Sequence, residues 1–114
     1  MVEAIIQQRS GQIYRIDKFK VPKSARNEFI QGMQITHQLL RTLPGFIQDF
    51  VFEQISGVGE FNFVTVVVWK SANALESAKS AVMAKHEEIG FNPKELFSRL
   101  EIKADLANYS QIEI

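Results

Sequence analysis

Cysteine is absent from this chain, which removes disulfides, thiolate nucleophiles and cysteine metal sites together and leaves the redox compartment undetermined. Net charge is absent too. Thirteen basic residues cancel thirteen acidic ones, so no global field draws in nucleic acid or an anionic membrane. No apolar run approaches the length of a bilayer span. The opening Met-Val-Glu-Ala-Ile-Ile-Gln-Gln-Arg is too short in its apolar part, and carries Glu3 too early, for a secretory signal. A cytoplasmic protein is the expectation. The two histidines, His37 and His86, stand far apart without a metal-ligating spacing, and the glycines of Ser56-Gly57-Val58-Gly59 precede a strand where a phosphate loop needs a helix. No tightly bound metal or flavin is therefore expected.

What is present is a core. The 114 residues suit one domain spanning 1–114, and a hydrophobic fraction of 46% with nine phenylalanines places the chain among ordinary globular proteins. The run Phe61 to Trp69 reads as a fully buried strand, with Phe61, Phe63, Val67 and Trp69 on one face and Val64, Val66 and Val68 on the other. Two amphipathic helical stretches flank it and suffice to cover one face, so the second face must meet a second subunit, a ligand or both.

Taken in order, Ala4 to Ile6 reads as a short strand ended by a Ser10-Gly11 turn. From Gln12 to Val21 the chain alternates, with Tyr14 and Ile16 on one face and Ile13, Arg15, Asp17 and Phe19 on the other. Arg15 and Asp17 read either as an ion pair at a strand edge or as a polar patch in an apolar surround. Lys18, Lys20, Lys23 and Arg26 read as a solvated rim where that strand passes into a helix. Ser24 is placed as the helix N-cap. The stripe Ala25, Phe29, Met33, Thr36, Leu40 and Leu43 faces the sheet, His37 flanks it, and Gly32 permits a close neighbour.

Pro44-Gly45-Phe46 ends that helix. A strand follows with Phe46, Gln48, Phe50 and Phe52 on one face and Ile47, Asp49, Val51 and Glu53 on the other, and it returns through the glycine turn as a hairpin. The second helix presents Ala74, Leu75, Ala78, Ala81, Val82 and Met83, and ends near His86, Glu87 and Glu88. That acid-rich helix end predicts a charged His86. Gly90 stops the helix, Asn92-Pro93 opens a short helical turn, and Ile102 to Ile112 closes the fold as a last strand. The order strand, helix, hairpin, helix, strand is that of an α+β, ferredoxin-like antiparallel sheet with helices on one face.

Several of these stretches resemble the antibiotic biosynthesis monooxygenase family of the dimeric α/β-barrel superfamily: Ile16-Asp17-Lys18-Phe19-Lys20-Val21-Pro22, Leu43-Pro44-Gly45-Phe46, Trp69-Lys70-Ser71, His86 and the closing stretch around Tyr109. The resemblance covers nearly the whole chain. It implies a homodimer in which two sheets meet face to face, with a pocket in each subunit between sheet and helices. It also implies oxygenation of an aromatic or polyketide-like small molecule without metal, flavin or haem, in which the substrate itself reduces oxygen.

Such a reaction needs a dry pocket, one base and donors for the developing oxyanion. The residues available for it are His37, His86 and Asp17 as catalytic candidates, with His86, which the resemblance reaches, placed ahead of His37, and Arg15, Phe50, Phe52 and Trp69 as substrate-binding ones. The charged His86 would hold an anionic phenolate, and His37, in less charged company, would accept the proton. Two other functions stay open at this stage. One is a dimeric ligand-binding or regulatory module without turnover. The other is haem degradation, whose pattern resembles a first-strand Asn, a Trp on the second helix and a His about ten residues later. This chain has Asp17 for the Asn and Ser77-Ala78 where the Trp would stand.

Overall fold

In the computed structural model, residues 11–114 are described. The expected strand at Ala4 to Ile6 and the start of its turn lie outside the described residues. The elements are β1 (Ile13–Lys20), a short 3-10 turn (Lys23–Ala25), α1 (Arg26–Leu40), β2 (Phe46–Glu53), β3 (Phe63–Trp69), α2 (Ala72–Ile89), α3 (Pro93–Arg99) and β4 (Lys103–Tyr109). The strands form one antiparallel sheet in the order β2-β3-β1-β4, which is the ferredoxin-like arrangement. No helix among the described residues is long and apolar enough to cross a membrane.

Register fixes which residues face the helices. Ile13, Arg15, Asp17 and Phe19 of β1 lie opposite Trp69, Val67, Thr65 and Phe63 of β3, so these eight share one face. That face carries two buried clusters. Phe19, Val21, Ala25, Phe29, Phe63 and Ile102 form one. Val67, Trp69, Leu75 and Ala78 form the other. Edge-to-face contacts of Phe19 with Phe29 and Phe97 lock the first at centroid distances of 5.0 and 5.7 Å.

The opposite face carries Tyr14, Ile16, Val64, Val66, Val68, Phe50 and Phe52 in register; Val68 is buried and Tyr14 donates to Gln111 of the C-terminal segment, while the part of the face around Phe50 and Phe52 stays open. Val64 and Val66 are accordingly half-buried, and Phe50 and Phe52, stacked on each other at 5.7 Å, are exposed.

Three local expectations are corrected. Ser24 does not cap α1: it lies inside the 3-10 turn, and the cap position is Ala25, whose side chain makes no cap bond. Pro22 and the following turn lead the backbone into the helix in its place. Phe46 does not share a face with Gln48, Phe50 and Phe52, because the register shifts between Phe46 and Gln48. The bulge turns Phe46 back against Trp69, centroids 5.9 Å apart, and leaves Ile47 exposed. Met83, read as part of the apolar side of α2, is 72% exposed.

Glycine is required at the exit of α1. Gly45 has φ +84°, and a Cβ there would come within 2.4 Å of the Ala74 Cβ, so the α1–β2 corner can close over α2 only without a side chain. α2 starts with a true cap, the Ser71 Oγ accepting from the Ala74 amide at 3.1 Å.

Candidate functional site

The two buried clusters do not merge. Between them, under α1 and α2 and above the sheet, lies a cavity of about 760 Å³. Its floor is Arg15, Asp17, Thr65, Val67 and Trp69; α1 contributes Met33, Thr36, His37 and Leu40; α2 contributes Leu75, Ala78 and Val82; Phe91 and residues of α3 complete the lining. The volume suits a drug-sized ligand, and a mostly apolar wall with a few converging polar groups is what small-molecule sites present.

The polar groups are built in pairs. Arg15 donates from Nε to Asp17 Oδ1 at 2.6 Å, on a central strand and not at a sheet edge as one sequence reading had it. Alternation along β1 forces both side chains onto the helix-facing side. Burial raises the Asp17 carboxyl above its ordinary value, with the Arg15 hydrogen bond and charge and the His37 charge opposing it.

His37 comes from α1 and is 7% exposed. Its Nδ1 lies 3.0 Å from Asp49 Oδ2, and Arg41 donates from Nε to the same oxygen at 2.9 Å. His37 and Arg41 are four residues apart and so sit one above the other on the helix, facing a single carboxylate on β2. Burial pushes the Asp49 carboxyl up, but hydrogen bonds from His37 and Arg41, with the Arg41 charge, hold it below the usual range. An anionic Asp49 accepts, so Nδ1 carries a hydrogen, and the neutral ring in that tautomer has its lone pair on Nε2. Nε2 has no hydrogen-bond partner among the described residues, and the ring lines the cavity. An oriented imidazole with a free lone pair at an apolar cavity is a general base in form.

His86, from α2, is turned to another purpose. Its Nε2 is 3.0 Å from Thr36 Oγ1, and its ring packs edge-on to Phe91 at 4.9 Å. Burial lowers its pKa. The expectation of a charged His86 is thereby corrected: Glu87 and Glu88 point into solvent, Glu88 pairs with Lys85, and loss of water outweighs the helix end. The expectation that His37 has the less charged company is corrected too, since Asp49 and Arg41 stand beside it.

Arg15, Asp17, His37, His86 and Trp69 thus line one cavity. Phe50 and Phe52 do not. They lie on the opposite face of the sheet, because β2 re-enters the period after its bulge with Asp49 and Val51 toward the helices. Asp49 and Arg41 are the residues the sequence reading missed. The available signal was the His37 and Arg41 spacing on one helix face, followed across a tight corner by an acid on a helix-facing strand position.

The His86 position was the one place where the haem-degrading pattern stayed in register. Its Nε2 is engaged by Thr36 and its ring is covered by Phe91, so it does not fit an axial ligand. At the position of the stacking Trp, Ala78 is buried in the core cluster against β3. Among the described residues no three His, Asp or Glu side chains come together as a metal-ligating group.

No protein-family model and no curated protein matches the chain. Solved structures do. A candidate monooxygenase from Shewanella loihica PV-4 superposes with a TM-score of 0.70 at 16% identity, over 91% of this chain and 97% of that one. SnoaB, a cofactor-independent oxygenase from Streptomyces nogalater, gives 0.65 at 15% identity over 91% and 96%. The haem-degrader MhuD from Mycobacterium tuberculosis, with two haems bound in its active site, gives 0.65 at 19% identity over 90% and 97%. At these identities the likeness establishes the fold, which is the one the family resemblance implied.

Proposed function

We propose that the cavity is the active site of a cofactor-independent monooxygenase acting on an aromatic or polyketide-like small molecule. The observation that carries the proposal is His37, held at Nδ1 by Asp49 at 3.0 Å and presenting Nε2 to an apolar cavity floored by the Arg15–Asp17 pair. His37 takes a proton from an acidic carbon or phenol of the substrate. The guanidinium of Arg15, whose Nε is committed to Asp17, lies at the cavity floor as the hydrogen-bond donor for the oxygen anion that forms. The electron-rich anion then reduces oxygen. With anthrone as substrate the reaction balances without a further reductant: the methylene becomes the carbonyl of anthraquinone, and the second oxygen atom leaves as water. The shared fold with SnoaB supports this reading, and Trp69 and Leu40 supply flat and aliphatic wall for an aromatic body.

The open sheet face supports a homodimer. Phe50, Phe52, Val64, Val66 and Ile16 form one apolar surface on a chain of balanced charge, and a second copy of that face is its natural cover. A non-catalytic binding module is the remaining reading of the same cavity.

Oxygen uptake tests the proposal. Purified protein treated with a chelator is mixed with anthrone, and anthraquinone is quantified against consumed oxygen. One product per oxygen, lost in His37→Ala, is expected. No uptake above the buffer rate, with anthrone still bound, leaves the binding module. A Soret shift on haem titration, followed by haem loss with a reductant, points to the haem-degrading alternative.

A further inference from the structure

The charged residues lining the cavity are unevenly signed. Among the described residues Asp17 is the sole acid in the lining, and Arg15 pairs with it at 2.6 Å. What remains is two lysines, Lys79 on α2 and Lys94 on the first turn of α3, both exposed and therefore at the rim. Lys79 has a loose contact with Glu76 at 3.4 Å, which lies outside the lining and is itself 69% exposed. Lys94 has no ion-pair partner among the described residues. Around them the rim is apolar, with Met83 at 72% and Leu106 at 51% exposure. A concave, low-dielectric wall carrying charge of one sign concentrates that field at its opening.

We infer that the substrate is an amphipathic acid, whose apolar ring body fills the cavity while its carboxylate stays at the rim against Lys94 and Lys79. This rests on the reading of the cavity as the substrate site and adds which end of the substrate stays outside. The carboxylate keeps part of its hydration there, so it is not dragged into the apolar interior. The reacting carbon then lies at the His37 end. A neutral ring system enters the same cavity without the added attraction.

The test uses anthracene carboxylate and its methyl ester as probes, with the quenching of Trp69 fluorescence as readout. Trp69 is the single tryptophan of the chain and part of the cavity wall. Each exposed lysine contributes about threefold in affinity, so the acid should bind roughly tenfold more tightly than the ester at low salt. That ratio should shrink as salt is raised. It should collapse toward one in the Lys79→Gln/Lys94→Gln double variant, survive in Lys79→Arg/Lys94→Arg, and be untouched in Lys70→Gln, which lies outside the lining.

An ester that binds as tightly as the acid overturns the inference, as does a ratio unchanged in the double variant. So does an absence of quenching by either probe. Oxygen uptake on neutral anthrone is read separately. A failed acid preference with uptake intact sinks the substrate class alone, and an intact preference without uptake sinks the oxygenase alone.

Discussion

Replacing Asp49 by Asn changes one atom and removes the charge that orients His37. In the native arrangement Oδ2 receives two donors, His37 Nδ1 at 3.0 Å and Arg41 Nε at 2.9 Å, on a carboxylate whose side chain is 11% exposed. Asparagine keeps one acceptor oxygen and presents an amide donor at the other position. Either the amide faces His37 and forces the hydrogen onto Nε2, or the oxygen faces His37 without its charge. Arg41, 56% exposed, turns to water at little cost. One charge-assisted hydrogen bond is lost in effect, about 1.5–3 kcal/mol when the partner stays buried and less with repacking.

A net loss near the lower end of that range predicts a Tm decrease of about 5 °C for a domain of this size. On activity the expected cost is roughly 10- to 100-fold, the range for removing a group that orients a functional histidine. It should fall on kcat with KM little changed, because Asp49 is not part of the cavity lining. Oxygen uptake with anthrone measures the first effect, and thermal unfolding followed by circular dichroism the second. An Asp49→Asn protein with parental kcat, shown folded by an unchanged Tm, would refute the claim that this carboxylate positions the base.

Further outcomes follow from other parts of the structure. Burial holds the folded-state pKa of His86 below the ordinary value, so its stabilising contribution is complete above that value and is lost as pH falls through the lowered one. Between about pH 7 and pH 5 the parent should lose Tm more steeply than His86→Gln; parallel slopes would show that His86 is not desolvated. Gly45→Ala should cost about 3 kcal/mol, from the left-handed backbone at φ +84° and the 2.4 Å approach to Ala74, and a denaturant midpoint equal to the parent's would refute the tight α1–β2 corner. Phe52→Lys on the open sheet face should convert a dimer to a monomer by light scattering at micromolar concentration, while a parent that is already monomeric contradicts the face-to-face pairing.

The sheet and both long helices were legible from period alone. Alternation in β1 and β3 placed Arg15 and Asp17 on the face that bears Phe19, and the 3.6-residue stripe of α1 placed His37 at its flank. The structure puts all of these on the cavity side. Two features were hidden for local reasons. A single extra residue at Ile47 is invisible to a period-two reading, yet it decides the side on which Phe46 packs. It left Phe50 and Phe52 looking like cavity wall when they are open surface. The Asp49 clamp was hidden because acids in an alternating strand look like solvent-facing positions, and only the packing of α1 over β2 shows that this one is covered. The charge of His86 was misjudged from its sequence neighbours, which are exposed to solvent while its ring is buried.

The central claim is that His37 removes a proton from a substrate bound in this cavity, and that step precedes any contact with oxygen. Exchange of the anthrone methylene hydrogens for deuterium, followed by proton NMR in deuterium oxide under strict anaerobic conditions, reads it alone. The parent protein should accelerate exchange well above the buffer rate, and His37→Ala should return it to that rate while still quenching Trp69 on ligand binding. Exchange at the buffer rate in the parent, or equal acceleration by His37→Ala, would contradict the account.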